Sequence, residues 1–264
     1  MTGLATPSGR VLLLTDGARR VLRSHAFRWA IAPSMLAWIA LIAFTANGLE
    51  SALCLSPRAN PVHGLMGAFG ASLAGLDPTA VSLAWGLMLA AMMGPLLAPM
   101  ITYVAARSFA DRRDLAVGLF VAGYAVVWIL ATVVAFIPVM MLHALTLFAG
   151  LSLYAGLLGA AAAALWQLSK AKRRALNRCH GLRSLRASGP GANVDAARFG
   201  ALHGWRCVRA CAPTMFLAMG GAHALATMAL VSAVLLGERT ALRPRQSSAA
   251  ILLLLAGVIS IPLP

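Results

Sequence analysis

The sequence predicts an all-α protein, namely a polytopic transmembrane helical bundle of five or six spans. The chain is 60% hydrophobic and 11% charged, with a mean hydropathy of +0.82, which is typical of membrane proteins rather than soluble ones. Uncharged apolar runs near the ~20 residues needed to cross a bilayer recur along it. The 22 Lys and Arg, against 7 Asp and Glu, cluster between those runs, as expected of cytoplasmic loops.

Six apolar runs are the candidate spans. We expect a tight turn around His143 between the third and the fourth, and small residues in the fourth would let neighbouring helices approach closely. The last run is short for a crossing at about 1.5 Å per residue, so it spans only with help from flanking residues or a thinned bilayer. Five and six spans therefore both stay open. The runs are 29–49, 79–106, 115–141, 144–168, 212–236 and 249–263.

The distribution of charge divides the chain into a basic cytoplasmic N-terminal tail, 1–28, and a single transmembrane domain, 29–264, with a basic cytoplasmic loop at about 170–211. With the N-terminus in the cytoplasm, the tail, the first cytoplasmic loop and the 170–209 segment hold five, three and ten Lys and Arg. The predicted outside loops, including 237–248, hold four. The net charge of +15 makes anionic lipid headgroups the expected electrostatic partner, and no nucleic acid is expected.

Side chains that bind soft or borderline metals recur at intervals of four between residues 203 and 223. Residues four apart are neighbours on an α-helix, but each step overshoots a turn by about 40°, so the six cannot all face one ion. Pro213 is disfavoured inside a helix and fits a first turn. We therefore predict that the first three lie just before a membrane helix that begins near Ala212, and that the last three lie within it. The six are His203, Cys207, Cys211, Met215, Met219 and His223.

The cytoplasmic part of this pattern is a candidate metal site. Cys207, Cys211 and His203, joined by Cys179 from the same basic segment, offer thiolate and imidazole ligands. Such ligands suit zinc, and thiolate with thioether suits Cu(I). Free thiols in a reducing cytoplasm are the alternative, and the spacing alone leaves both open.

Thioethers extend the pattern towards the bilayer. Met215, Met219 and His223, with Met88 and Met92 of the second span, are candidate ligands of a path through the membrane. Packing is the alternative for the methionines, because Met fills irregular gaps in a core. An ionisable residue within a span is a functional candidate by default, but a neutral imidazole hydrogen-bonded to another helix would also explain His223.

Signatures of catalysis are absent from the sequence. No predicted span holds a pair of carboxylates, and no glycine-rich phosphate loop is followed by Lys. There is no His-Glu-x-x-His pattern and no convincing nucleophile with its base. The sequence therefore predicts that the protein is not an enzyme.

Several short motifs follow one another between residues 80 and 240. They are Trp85, Met88, Met92, Met93, Pro95 and Pro99; Gly123, Tyr124 and Trp128; Trp166, Gln167 and Lys172; Cys179; His203, Gly204, Cys207, Cys211 and Met215; and Gly221, Met228, Glu238 and Arg239. In this order they resemble the predicted metal-binding integral membrane proteins of bacteria, the domain-of-unknown-function family numbered 2182. The resemblance implies a multi-pass protein of the bacterial inner membrane that binds a metal ion.

The chain also departs from that family pattern. Ala175 stands where the family has the first cysteine of a pair with Cys179, and Ala210 and Ala212 replace a cysteine and a tryptophan. His223 stands where the family usually has an apolar residue. Two of the family's five thiol positions are therefore absent, and the implied thiolate site is reduced here.

The function we predict is that of a metal-binding integral membrane protein that handles or delivers copper, or zinc, near the cytoplasmic face of the inner membrane. A non-catalytic accessory subunit of a larger membrane complex, such as a metal-dependent oxidase or monooxygenase, is the alternative. A small-solute transporter is a further alternative, which the proline-broken second span suits.

Overall fold

A computed structural model describes residues 24–46, 78–148, 155–179, 181–218, 224–240 and 246–259. The prediction of an all-α fold is confirmed, since these residues form helices joined by short connections and contain no strand. A π-helical segment, Phe27–Ile31, leads into the first helix, and a 3-10 turn, Ala110–Arg112, precedes the third. The helices are α1 (Ala32–Ala46), α2 (Pro78–Ala106), α3 (Arg113–Phe148), α4 (Ala155–Leu168), α5 (Lys170–Cys179), α6 (Pro190–Ala218), α7 (Ala224–Thr240) and α8 (Gln246–Ile259).

Three described stretches are long and apolar enough to cross a membrane. They are Phe27–Ala46, Ser82–Ala106 and Ala110–Pro138, and they correspond to the first three predicted spans. A shorter apolar helix, Leu157–Leu168, lies within the fourth. Length and composition thus support three spans among the described residues, and the predicted total of five or six is not confirmed.

The tight turn predicted around His143 is wrong. Helix α3 continues without interruption from Arg113 to Phe148, with Pro138 inside it. Residues 139–148 contain no glycine and no further proline, so no residue there disfavours continued helical hydrogen bonding. An internal proline is tolerated in a membrane helix where neighbouring groups satisfy the freed carbonyl.

The basic segment predicted as a loop at about 170–211 is largely helical. Its first part, α5, buries Ala175, Leu176 and Cys179 on one side and exposes its arginines on the other, which is the pattern of an amphipathic helix on a core. Its second part forms most of α6. The cytoplasmic location of this segment stays a prediction.

Helices α3 and α6 form a close pair because glycines remove side chains from their interface. A Cβ atom added at Gly200 would meet the backbone of Phe120, and one added at Gly123 would meet the backbone of Ala197. Small residues at such a contact let helix backbones approach closely. Farther along both helices, Gly204 lies against Tyr124. The residue numbers of the two helices therefore rise together along the contact, so the helices run in the same direction. This pairing aligns residues 200–207 with residues 120–128.

The chain reverses between α6 and α7. Lys172 Nζ lies 2.8 Å from the carbonyl oxygen of Ala210 and 2.9 Å from Glu238 Oε2. One straight helix would separate residues 210 and 238 by about 42 Å, at about 1.5 Å per residue. The prediction of one crossing over 212–236 is therefore wrong, and Glu238 and Arg239 lie beside α5 rather than on the opposite side from it.

Helix α1 contacts α2 close to the buried methionines of α2. The Ser34 hydroxyl donates a hydrogen bond to the carbonyl oxygen of Ala91 over 2.7 Å. A Cβ atom added at Gly94 would meet Ala30 and Ser34. The residues between these two contacts, Met92 and Met93, are buried in the core of the bundle.

Candidate metal centre

Three sulfur atoms meet in the core between α2 and α6. Cys207 Sγ lies 3.9 Å from Cys211 Sγ and 3.9 Å from Met93 Sδ. All three residues are buried. Two sulfurs bound to one ion at about 2.3 Å each lie about 3.8 to 4.0 Å apart in tetrahedral or trigonal geometry. Each of the two measured distances therefore fits a pair of sulfurs on one soft metal ion, and we refer to Cys207, Cys211 and Met93 as the sulfur triad.

The triad follows from local helix geometry and one tertiary contact. Cys207 and Cys211 are four residues apart on α6 and share a face. The predicted break at Pro213 is wrong, because Pro213 lies inside α6 and both thiols sit on the same helix as Met215. The proline removes the hydrogen bond to the carbonyl oxygen of Arg209, and the next carbonyl oxygen, that of Ala210, accepts a hydrogen bond from Lys172 Nζ.

Tyr124 of α3 completes one side of the triad. Its hydroxyl donates a hydrogen bond to Cys207 Sγ over 3.2 Å. The ring of Tyr124 also lies 6.0 Å from the ring of His203, which packs in addition against Phe120 and Phe199. A donor of this kind orients a sulfur ligand and stabilises its thiolate form.

The structure does not bring His203 and Cys179 into the triad. Among the described residues, no group of three His, Cys, Asp and Glu side chains is placed to hold one ion. Cys179 Sγ donates to the carbonyl oxygen of Arg206 over 3.1 Å. Burial raises the pKa of the Cys179 thiol to about 11. Their assignment as ligands stays a prediction.

The structure describes some of the ligands predicted for the path through the membrane. Met88, Met92 and Met215 are buried in the same core as the triad, and Met219 and His223 lie outside the described residues. The sequence suggested Met93 only as part of a thioether patch with Met88 and Met92, and the structure places its Sδ atom beside Cys207. Its place in the Met92, Met93 pair identified the helix, but only the packing of α1, α2 and α6 shows which methionine faces Cys207.

A buried cluster of charged side chains lies beside the thiols, on the side that α5 and α7 occupy. Lys172 and Glu238 form an ion pair with side-chain exposures of 0% and 4%, and Gln167 Nε2 donates to Glu238 Oε1. The next residue, Arg239, interacts electrostatically with Cys179, Cys207 and Cys211. Sequence reasoning missed this cluster, because it assigned residues 170–209 and 237–248 to opposite faces of the membrane.

In the described residues, the buried thiols of Cys207 and Cys211 beside the Met93 thioether are donors of the kind that suits a soft metal ion. Residues 82–260 match the model of the PpoB2 family, which is described as a copper chaperone. That range covers more than half of the chain, and the chain belongs to this family. The match agrees with the metal-related resemblance and supports copper handling. No curated protein and no solved structure matches the chain.

Proposed function

We propose that this chain is a copper chaperone of the bacterial inner membrane that binds Cu(I) at Cys207, Cys211 and Met93 and passes the ion on. The observation that carries the proposal is the spacing of the three buried sulfurs, 3.9 Å for each of the two pairs that include Cys207. Membership in a family described as a copper chaperone supports the identity of the ion.

The ligand set favours Cu(I) over zinc. Structural zinc sites are almost always four-coordinate, with thiolate, imidazole or carboxylate ligands, and the described residues offer only two such ligands around the triad. Thioether sulfur is a soft ligand that selects Cu(I). Two thiolates with one thioether thus give Cu(I) a complete low-coordinate site, whereas zinc would lack a ligand.

The triad lies beside the basic helix α5 and within the candidate spans. Tyr124 and Met93, which contact Cys207, lie near the middle of Ala110–Pro138 and Ser82–Ala106. The exposed arginines and lysine of α5 lie on the same side of the bundle. We infer that this side faces the cytoplasm, because a cluster of basic residues is retained there.

Removal of both thiols tests the proposal. Cys207→Ser/Cys211→Ser should reduce bound copper from about one ion per chain to near zero, since Cys179 is then the one thiol left among the described residues. The measurement is the metal content of the purified full chain, reconstituted with Cu(I) under reducing conditions. Cys179→Ser is the matched control, because it removes an equally buried thiol of the same core. Equal copper in the double variant and the wild type contradicts the proposal.

The hydrogen bond from Tyr124 predicts a smaller effect. Tyr124→Phe removes the donor to Cys207 Sγ but keeps the ring, and the loss of such a partner typically weakens metal binding about 10- to 100-fold. Cu(I) affinity, measured by competition with a chromophoric chelator, should fall while the stoichiometry stays the same. Tyr103→Phe is the control, because its hydroxyl donates to the carbonyl oxygen of Arg183 instead. Equal affinities in the two variants would rule out this role of Tyr124.

A further inference from the structure

Arg239 brings a positive charge to the triad from the end of α7. Its Nε and Nη2 atoms are buried. Its guanidinium interacts electrostatically with Cys207, Cys211 and Tyr124. The carboxylate next to it in sequence, Glu238, is engaged by Lys172 instead.

Contacts of neighbouring residues place the end of α7 beside this part of α6. Glu238 pairs with Lys172, and Lys172 Nζ donates to the carbonyl oxygen of Ala210 over 2.8 Å. Ala210 immediately precedes Cys211 in α6. The last turn of α7 is therefore anchored against the turn of α6 that carries the two thiols.

The net charge of this cluster favours a bound ion of charge +1 over one of charge +2. Lys172 and Glu238 cancel, so Arg239 leaves the cluster with one uncompensated positive charge while both thiols are protonated. When two thiols lose their protons and bind Cu(I), the complex carries one negative charge, and the cluster becomes neutral. The same two thiolates with Zn(II) form a neutral complex, so the charge of Arg239 stays uncompensated in a buried site, which is unfavourable.

We propose that Arg239 is a fixed counter-charge of the sulfur triad and makes the site select monovalent Cu(I) over divalent zinc. This inference rests on the proposed function, since it concerns the same two thiols. In general, two unit charges about 6 Å apart, at an effective dielectric constant of about 20, change a binding equilibrium about 100-fold. The thioether of Met93 is a soft but uncharged ligand, so it does not change the net charge of the site.

Substitution of Arg239 tests the inference in the full-length protein. Arg239→Met should weaken Cu(I) binding at least about tenfold and leave Zn(II) binding nearly unchanged, as measured by chelator competition for each ion separately. Arg239→Lys keeps the charge and should keep most of the wild-type ratio of the two affinities. Arg209→Met is the matched control, because it removes an exposed arginine two residues from each of Cys207 and Cys211.

Silver and cadmium give a second test that needs no variant. Ag(I) is soft and monovalent, and it should displace Cu(I) from the wild type; Cd(II) is soft and divalent, and it should displace Cu(I) poorly. An unchanged affinity ratio in Arg239→Met, an equal loss in Arg239→Lys, or efficient displacement by Cd(II) overturns the role of Arg239. Copper binding that survives Cys207→Ser/Cys211→Ser overturns the proposed site itself, and the role of Arg239 with it.

Discussion

Lys172→Met should lower the free energy of unfolding by about 3–5 kcal/mol, because it leaves the carboxylate of Glu238 buried without its cation. Both side chains are almost fully buried, and Nζ lies 2.9 Å from Oε2. The substitution also removes the donor to the carbonyl oxygen of Ala210 in the proline-containing turn of α6. Loss of that contact should loosen the turn that carries Cys207 and Cys211, so Cu(I) affinity should fall together with stability. Denaturant unfolding in detergent measures the first effect.

Two further variants separate the charge effect from a general loss of packing. Lys172→Met/Glu238→Leu removes both charges, and replacement of a buried ion pair by apolar groups is often neutral or stabilising. The double variant should therefore recover most of the stability that the single variant loses. Arg173→Met, which removes an exposed cation from the same helix, should change the free energy of unfolding by no more than about 0.5 kcal/mol. A double variant as unstable as Lys172→Met would contradict this explanation.

The helical class and the first three spans could be predicted from the sequence because they depend on local properties. Apolar length alone identifies Phe27–Ala46, Ser82–Ala106 and Ala110–Pro138 as candidate spans. Spacing alone puts Cys207 and Cys211 on one helical face, wherever the helix lies. Both predictions depend only on residues that are close together in the chain.

The remaining features of the site depend on tertiary contacts that the sequence does not encode locally. Pro213 indicated a helix start, because an isolated helix loses a hydrogen bond there, but in the bundle Lys172 reaches the same turn. The apolar run 212–236 predicted one span, because hydropathy does not report a reversal of direction. Met93 comes beside Cys207 only through the packing of α2, and Arg239 approaches the thiols only through that reversal, so the sequence alone singled out neither of them.

Gly200→Ala should destabilise the protein by about 1–3 kcal/mol, although alanine is the better helix former. A Cβ atom at residue 200 would meet the backbone of Phe120, which cannot move aside as the end of a flexible side chain can. Helices α3 and α6 would have to separate, and the hydrogen bond from Tyr124 to Cys207 would lengthen. Copper affinity should therefore fall with stability.

Gly86→Ala is the matched control for this helix contact, because a Cβ atom added there meets no atom within 4 Å. Since the same substitution removes backbone freedom in both helices, Gly86→Ala should be neutral or stabilise by up to about 1 kcal/mol. The two variants are therefore expected to change the free energy of unfolding in opposite directions, or at least by clearly different amounts. Equal unfolding midpoints in detergent would mean that α3 and α6 do not form the close contact on which the position of Cys207 depends.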